Sequence, residues 1–222
     1  MKSENRGGPY LRGFSSGSGL GGKVSQYRSR QKIYAQGASA YTLFYIQAGG
    51  VRLTTRTKDE PAAVTAILGV GDLFGELCLA GYPLRVSTAV ALTASSIRTI
   101  KKANMLKILR KKNRMSNSLV GYLLGSIKKY QDHVAELLTC PAQERLARIL
   151  LQLAHLDKNR MAKEIPILSH QVLAEMVGTT RPRVNVLMNR FRKQGFIDYD
   201  GGLEVRRSLR SVLSKRARPL NY

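Results

Sequence analysis

The stretch Leu168–Gly195, LSHQVLAEMVGTTRPRVNVLMNRFRKQG, constrains this chain more than any other. It reads as two short helices joined by a tight turn. Ser169 is placed to cap the first helix, its hydroxyl accepting from a free N–H of the first turn. Val172, Leu173, Met176 and Val177 then lay one apolar stripe along that helix. Gly178 follows, where a left-handed residue ends a helix without a Cβ penalty. Thr179 or Thr180 caps the second helix, and Pro182 falls in its first turn, where a missing N–H costs nothing. Val184, Leu187, Met188 and Phe191 form the second stripe, and Gly195 closes it. Arg181, Arg183, Asn185, Arg190 and Arg192 lie largely outside the stripe. This is the layout of a helix-turn-helix, whose second helix offers its N-terminal residues to base edges in the DNA major groove. An ordinary helical hairpin with a solvated basic face is the competing reading. Downstream, Phe196, Ile197 and Tyr199 alternate with polar residues, Asp200-Gly201-Gly202 turns, and Leu203 and Val205 alternate again. That small β-hairpin stands where the wing of a winged helix-turn-helix stands.

Charge points the same way without locating the site. The 222 residues carry 37 basic and 14 acidic side chains, a formal net charge of +23, which favours polyanions. Residues 141–222 hold 16 basic and 7 acidic groups, and residues 1–140 hold 21 and 7, so neither half monopolises the charge. There is no apolar run of about 18 residues to span a membrane, and no signal-peptide pattern at the N-terminus. Two cysteines, Cys78 and Cys140, are too few for a disulfide framework, so a cytoplasmic setting is expected.

Residues 1–23, rich in Gly, Ser and Arg, cannot bury a core and read as a flexible basic arm. Residues 24–114 form the next expected domain. From Tyr27 to about Ile100 its texture is short alternating segments with glycine-bearing turns, as in QKIYAQG, TLFYIQAGGVRLTT and STAVALT. Such segments predict an all-β barrel or jelly roll, with Lys58-Asp59-Glu60-Pro61 as a hairpin tip. Within it lies GDLFGELCLAGYPLRVSTA, where Gly75 and Glu76 precede a turn and Arg85 follows nine positions after Glu76. Backbone N–H groups freed by a glycine, plus an arginine fork, are the parts of a phosphate pocket. A structural Glu–Arg pair bridging the turn is an equal reading. Lys101–Arg114 is basic and without acids, the pattern of a solvated helix face.

Residues 115–139 read as a long helix. Val120, Leu123, Ile127, Tyr130, Val134 and Leu137 recur at steps of 3 and 4, a seam suited to a two-stranded coiled coil. Packing on the chain's own β domain is the alternative. Thr139-Cys140-Pro141 marks a boundary and a hinge, because Pro141 disfavours helix at the residue before it. Residues 140–222 are the expected DNA-binding domain. It opens with an amphipathic helix, 142–156, carrying Leu146, Ile149, Leu150, Leu153 and Ala154 on one face. Ile165-Pro166-Ile167 leads into the helix-turn-helix, and the tail from Arg206 is either a short helix or a basic arm. His133, His155 and His170 make no metal spacing with the cysteines, and no catalytic constellation appears. Cys78 sits in an apolar, strand-like context and is expected to be buried.

The order of parts, an α+β chain with a small β domain, a long helix and a winged helix-turn-helix, resembles the Crp/Fnr family of bacterial transcription regulators. The resemblance covers about Gln31–Val205 and rests most on GDLFGEL with Arg85, and on QVLAEMVGTTRPRV. It implies a cyclic-nucleotide-binding-type domain, a homodimer on double-stranded DNA, and control of RNA polymerase. It places Gly75, Glu76, Leu77 and Arg85 at an effector's phosphate and ribose, and Tyr130 and Gln131 where cAMP-responsive members carry Thr-Ser facing the base. Val86 stands where those members carry a serine on the phosphate. No ligand is certain from these residues: the candidates are a cyclic nucleotide or another small anionic effector, and cAMP is expected not to be the native effector or to bind weakly. On the second helix, Arg181 matches a base-reading arginine, whereas Pro182 and Val186 replace a glutamate and an arginine. Thr179, Thr180, Arg181, Arg183 and Asn185 are the expected base and phosphate contacts, with Arg190, Lys193 and the wing on phosphate. An effector-independent binder, a ligand-binding module acting on a protein partner, and a general chromosome-coating protein are the rival readings.

Overall fold

The computed structural model describes residues 22–58, 62–156, 168–199 and 203–213. The N-terminal arm up to residue 21, the Asp59-Glu60-Pro61 tip, the Ile165-Pro166-Ile167 lead, the Asp200-Gly201-Gly202 turn and the tail beyond residue 213 lie outside them. The chain divides into two compact units, Met1–Ile127 and Lys128–Tyr222.

The first unit holds two four-stranded antiparallel sheets. One runs in the order β1 (Lys23–Tyr27), β8 (Ser95–Lys101), β3 (Thr42–Ala48), β6 (Leu73–Phe74). The other runs β2 (Lys32–Tyr34), β7 (Thr88–Ala91), β4 (Val51–Thr55), β5 (Ala63–Leu68). The run Leu43-Phe44-Tyr45-Ile46 shows why β3 is central. All four are buried, and alternate side chains enter two different cores. Phe44 and Ile46 meet Phe74, Ile97, Val51 and Ala89 between the sheets. Leu43 and Tyr45 meet Leu73, Ile100, Met105, Leu119 and Tyr122 on the opposite face. That second core is closed by α1 (Lys102–Lys111) and the start of α2 (Asn113–Thr139). The basic stretch after Lys101 is thus not solvated all round, since Met105 is fully buried and Ile108 and Leu109 pack beneath it. β1 begins at Lys23, four residues ahead of where the alternation from Tyr27 starts. As an edge strand it has little apolar content to announce it.

In the second unit, α3 (Ala142–Leu156) buries Leu146, Ala147, Ile149, Leu150 and Leu153. It packs with α4 (His170–Val177), α5 (Arg181–Lys193) and a two-stranded antiparallel ribbon, β9 (Ile197–Asp198) and β10 (Glu204–Val205). Ser169 accepts from the Val172 N–H and Thr180 from the Arg183 N–H, so both expected caps form. Gly178 adopts φ 67° and ψ 50°, the left-handed stop between the helices. The tail after Arg206 resolves into a 3-10 turn, Arg207–Val212, whose Leu209 is fully buried and which packs on α3. Its described part is a structural turn, not a free arm. No helix among the described residues is long and apolar enough to cross a membrane.

Candidate nucleic-acid interface and effector site

Successive residues of an α-helix turn by about 100°, and α5 uses that rotation to sort its side chains. Val184, Leu187, Met188 and Phe191 are buried. Opposite them, at steps of 4, 3 and 4, stand Pro182, Val186, Asn189 and Lys193, all exposed. Arg181 and Asn185 border this row on one side, Arg183 and Arg190 on the other. Val186 is 65% exposed. Among the described residues, the guanidinium groups of Arg181 and Arg183 and the Lys193 ammonium have no hydrogen-bond or carboxylate partner. Arg190 is different: its Nη1 donates to Gln143 Oε1 on α3 at 3.2 Å. Asn185 is also engaged, with its Oδ1 on His170 Nδ1 of α4. Thr180 serves the helix as its cap, and Thr179 is half-buried with its N–H on Ala174 O. Asn189 was not legible as a site residue from the stripe alone, but its step of three from Val186 puts it on the same row.

An arginine that sequence reasoning passed over fixes this unit internally. Arg145 of α3 donates from Nε to Val177 O (2.8 Å) and from Nη2 to Gly178 O (3.2 Å) at the end of α4. Its Nη1 reaches Cys140 O (2.6 Å) and Leu137 O (3.2 Å) at the end of α2. One planar fork thereby closes free carbonyls at two helix C-termini, the place where a cation is most favourable. Arg148 adds an ion pair to Glu136 at 3.2 Å.

In the first unit, Gly75, Glu76 and Arg85 do come together, and Thr42, Tyr34 and Phe44 join them. Gly75 has φ 73°, the left-handed region that favours glycine, and a Cβ there would stand 2.5 Å from Arg85 Nη1 and push the guanidinium from its place. Glu76 opens a 3-10 turn, Glu76–Ala80. Arg85 is only 6% exposed. Its Nη2 donates to both Thr42 O and Thr42 Oγ1 at 2.8 Å, and its Nη1 donates to Gly75 O at 3.2 Å. Its guanidinium carbon lies 4.5 Å from the Tyr34 ring centre and 5.2 Å from that of Phe44. Those rings and Phe74 stack across the two sheets. No ion pair joins Arg85 to Glu76. Burial holds the Glu76 carboxyl above the ordinary carboxylate value, against the opposing pull of its own backbone N–H and of Arg85. Cys78, in the same turn, is 1% exposed and its thiol is likewise pushed up by burial. Leu77 and Val86 are exposed, at 39% and 42%.

As arranged, the Arg85 fork faces acceptors of its own chain. The donors that would grip a phosphodiester are bonded to Thr42 and Gly75, and Val86 offers no hydroxyl. Of the Arg85 nitrogens, Nε is the one left buried without a partner among the described residues. Tyr130 and Gln131 are exposed and belong to the second unit. Along α2, Val120, Ile127, Tyr130, Val134 and Leu137 are 38–54% exposed, while Leu123 turns partly into the first unit's own core. Tyr122, off that row, fixes the helix to the sheet. Its hydroxyl accepts from Leu73 N (2.9 Å) and donates to Leu73 O (2.8 Å), two residues before Gly75. Among the described residues no group of three His, Cys, Asp or Glu is placed to hold a metal ion.

Comparison with known proteins agrees with this geometry. The profile of a Cyclic nucleotide-binding domain matches residues 24–112, and that of a Crp-like helix-turn-helix domain matches residues 144–209. A CRP-like cAMP-activated global transcriptional regulator of Mycobacterium tuberculosis is 25% identical over 172 residues, 76% of this chain and 77% of that protein. A Cyclic AMP receptor protein of Thermus thermophilus is 25% identical over 181 residues, 81% of this chain and 82% of that protein. The solved structure of FixK2 from Bradyrhizobium japonicum has the same fold, with a TM-score of 0.72 at 22% identity, covering 88% of this chain and 98% of that one. The fold and the surface of α5 define a DNA-binding transcription regulator with a cyclic-nucleotide-binding-type domain. The two matched domains, in this order and over most of the chain, place it in a single lineage: the chain belongs to the Crp/Fnr family.

Proposed function

We propose that the protein binds a two-fold symmetric DNA site as a homodimer and that cAMP does not gate it. Binding then acts on RNA polymerase at promoters, as the family resemblance implies. The observation that carries the DNA reading is the exposed row on α5, flanked by Arg181 and Arg183 with unpaired guanidinium groups among the described residues. Arg181 sits at the first position of the helix, where side chains reach base edges, and Arg183 and Lys193 reach phosphates. The dimer reading rests on the exposed apolar row of α2, where Ile127 and Val134 are 53% and 54% exposed at coiled-coil spacing. Two such chains would set their α5 helices in successive major grooves, about 34 Å apart.

The relatives from Mycobacterium tuberculosis and Thermus thermophilus carry cAMP in their names. Against transfer of that ligand stand the engagement of Arg85 by Thr42 and Gly75 and the absence of a hydroxyl at Val86. The partnerless Nε of Arg85 favours a second reading, in which a different small anion enters and displaces the Thr42 contacts.

Selection from random duplex DNA tests the first claim: a split, roughly palindromic motif is expected, and its absence overturns it. Calorimetric titration with cAMP, and with cGMP beside it, tests the second. No heat at millimolar nucleotide, and the same operator affinity with and without it, are expected. Micromolar binding near one site per chain overturns the claim.

A further inference from the structure

We infer that His170 and Asn185 read DNA as one unit, in which His170 makes Asn185 a donor-only contact; this rests on the DNA reading just proposed. His170 is the first residue of α4, and Asn185 lies on the flank of the exposed row of α5, one turn after Arg181. The contact between them is His170 Nδ1 to Asn185 Oδ1. An amide oxygen only accepts, so Nδ1 carries the hydrogen and Asn185 Nδ2 keeps both of its own.

Asparagine recognises adenine by accepting from N6 with its oxygen while donating to N7 with its nitrogen, both ends addressing one base edge. Asn185 has its oxygen turned to α4, so its two ends do not face one base together. What remains is a pair of N–H donors. Their partners in the major groove are acceptors: guanine offers two on one edge, O6 and N7, to the pair of donors, whereas thymine O4 and adenine N7 offer one each. His170 touches no base in this scheme. It is a positioning residue, and its effect appears as specificity.

The test is selection from random duplex DNA with the full-length wild type and with Asn185→Ala, Asn185→Asp, His170→Ala and His170→Asn, each first checked for cooperative thermal unfolding. The wild type is expected to enrich a motif in which one position per half-site is guanine. Asn185→Ala loses the preference at that position by about fivefold or more, the equivalent of one base-edge contact. Asn185→Asp, which keeps an acceptor for His170 but has no donor, loses it as fully. His170→Ala frees the amide and admits adenine there. His170→Asn restores the wild-type preference, because its amide nitrogen falls where Nδ1 sits. Adenine at that position in the wild type, no position that responds to Asn185→Ala, or a preference untouched by His170→Ala each overturns the inference while leaving the regulator reading intact. If His170→Ala does not fold, retention of the preference by Asn185→Asp overturns it instead. A wild type that enriches no motif removes the DNA reading and this inference together.

Discussion

Arg85 in the turn after β6 is 6% exposed and gives three hydrogen bonds to its own chain. Arg181 at the head of α5 is exposed and has no partner among the described residues. Sequence reasoning assigned both to an anion, one to an effector's phosphate and the other to DNA. The difference lies in what surrounds each fork. Around Arg85 the chain supplies acceptors and two aromatic faces, so the guanidinium is satisfied before any ligand arrives. Around Arg181 the described residues supply none, and the charge is available to a polyanion. An arginine's type thus indicates what it is able to bind, and its existing partners indicate whether it is free to do so.

The sharpest way to break this contrast is to remove each arginine and ask which property suffers. Arg85→Ala strands Thr42 Oγ1 and Gly75 O, both part-buried, and leaves Thr42 O only the Cys78 thiol as a donor. We expect a loss of about 2–4 kcal/mol in the stability of the first unit, the cost of stranding such acceptors, read by urea denaturation. A variant as stable as the wild type would mean that Arg85 is held for a ligand after all. Arg181→Ala should do the reverse. Folding stability should change by no more than about 0.5 kcal/mol, as at an exposed surface site. Operator affinity should fall by about 1–3 kcal/mol, with relaxed preference at one base position. An equal fall on random DNA would make Arg181 a phosphate contact.

Tyr122 ties α2 to β6 within the first unit. Tyr122→Phe keeps the packing of the ring but strands both Leu73 N–H and Leu73 O. We expect a loss of about 1–2 kcal/mol, less than for Arg85→Ala, in the same denaturation experiment. A neutral outcome would show that the helix and β6 are joined by packing alone.

The two regions also differ in how far the sequence exposes them. The helix-turn-helix is legible because its determinants are local. Ser169 and Thr180 cap helices whose first turns they adjoin, Gly178 stops one helix beside the next, and the stripes repeat within a dozen residues. The run Leu43–Ile46 is legible as a strand, and its lack of alternation follows from burial on both faces. The partners of Arg85 are not legible. Thr42 lies 43 positions upstream, and only the pairing of β3 with β6, Phe44 opposite Phe74, brings it to the turn. His170 and Asn185 stand between these cases. They are 15 positions apart, both inside the motif, but a histidine at a helix start has no pattern of its own, and only the crossing of α4 and α5 makes it a partner. Arg145 joins the ends of two helices 37 and more positions apart in the chain, Leu137 to Val177 among them, and no periodicity marks such a residue.

The smallest expected effect concerns Glu76, because it turns on a proton and removes no contact between elements. Burial raises the Glu76 carboxyl above its ordinary value, so the folded chain binds that proton more tightly than the unfolded chain does. The associated stability is fully present below the unfolded pKa. It is lost as pH rises through the raised folded value, above which the buried carboxylate stays ionised at the cost of its desolvation. Glu76→Gln carries a neutral group at every pH, so its stability measured against the wild type should improve across that window and level off above it. Denaturation midpoints from pH 4 to pH 8 would register this, and an unchanging difference would mean that solvent reaches the carboxylate. Operator affinity at pH 7 should be the same for both proteins, since nothing on α5 titrates with Glu76. If the substitution instead altered DNA binding, the turn around Arg85 would be a switch and not a finished piece of the core, and the contrast with Arg181 would have to be drawn between two linked sites.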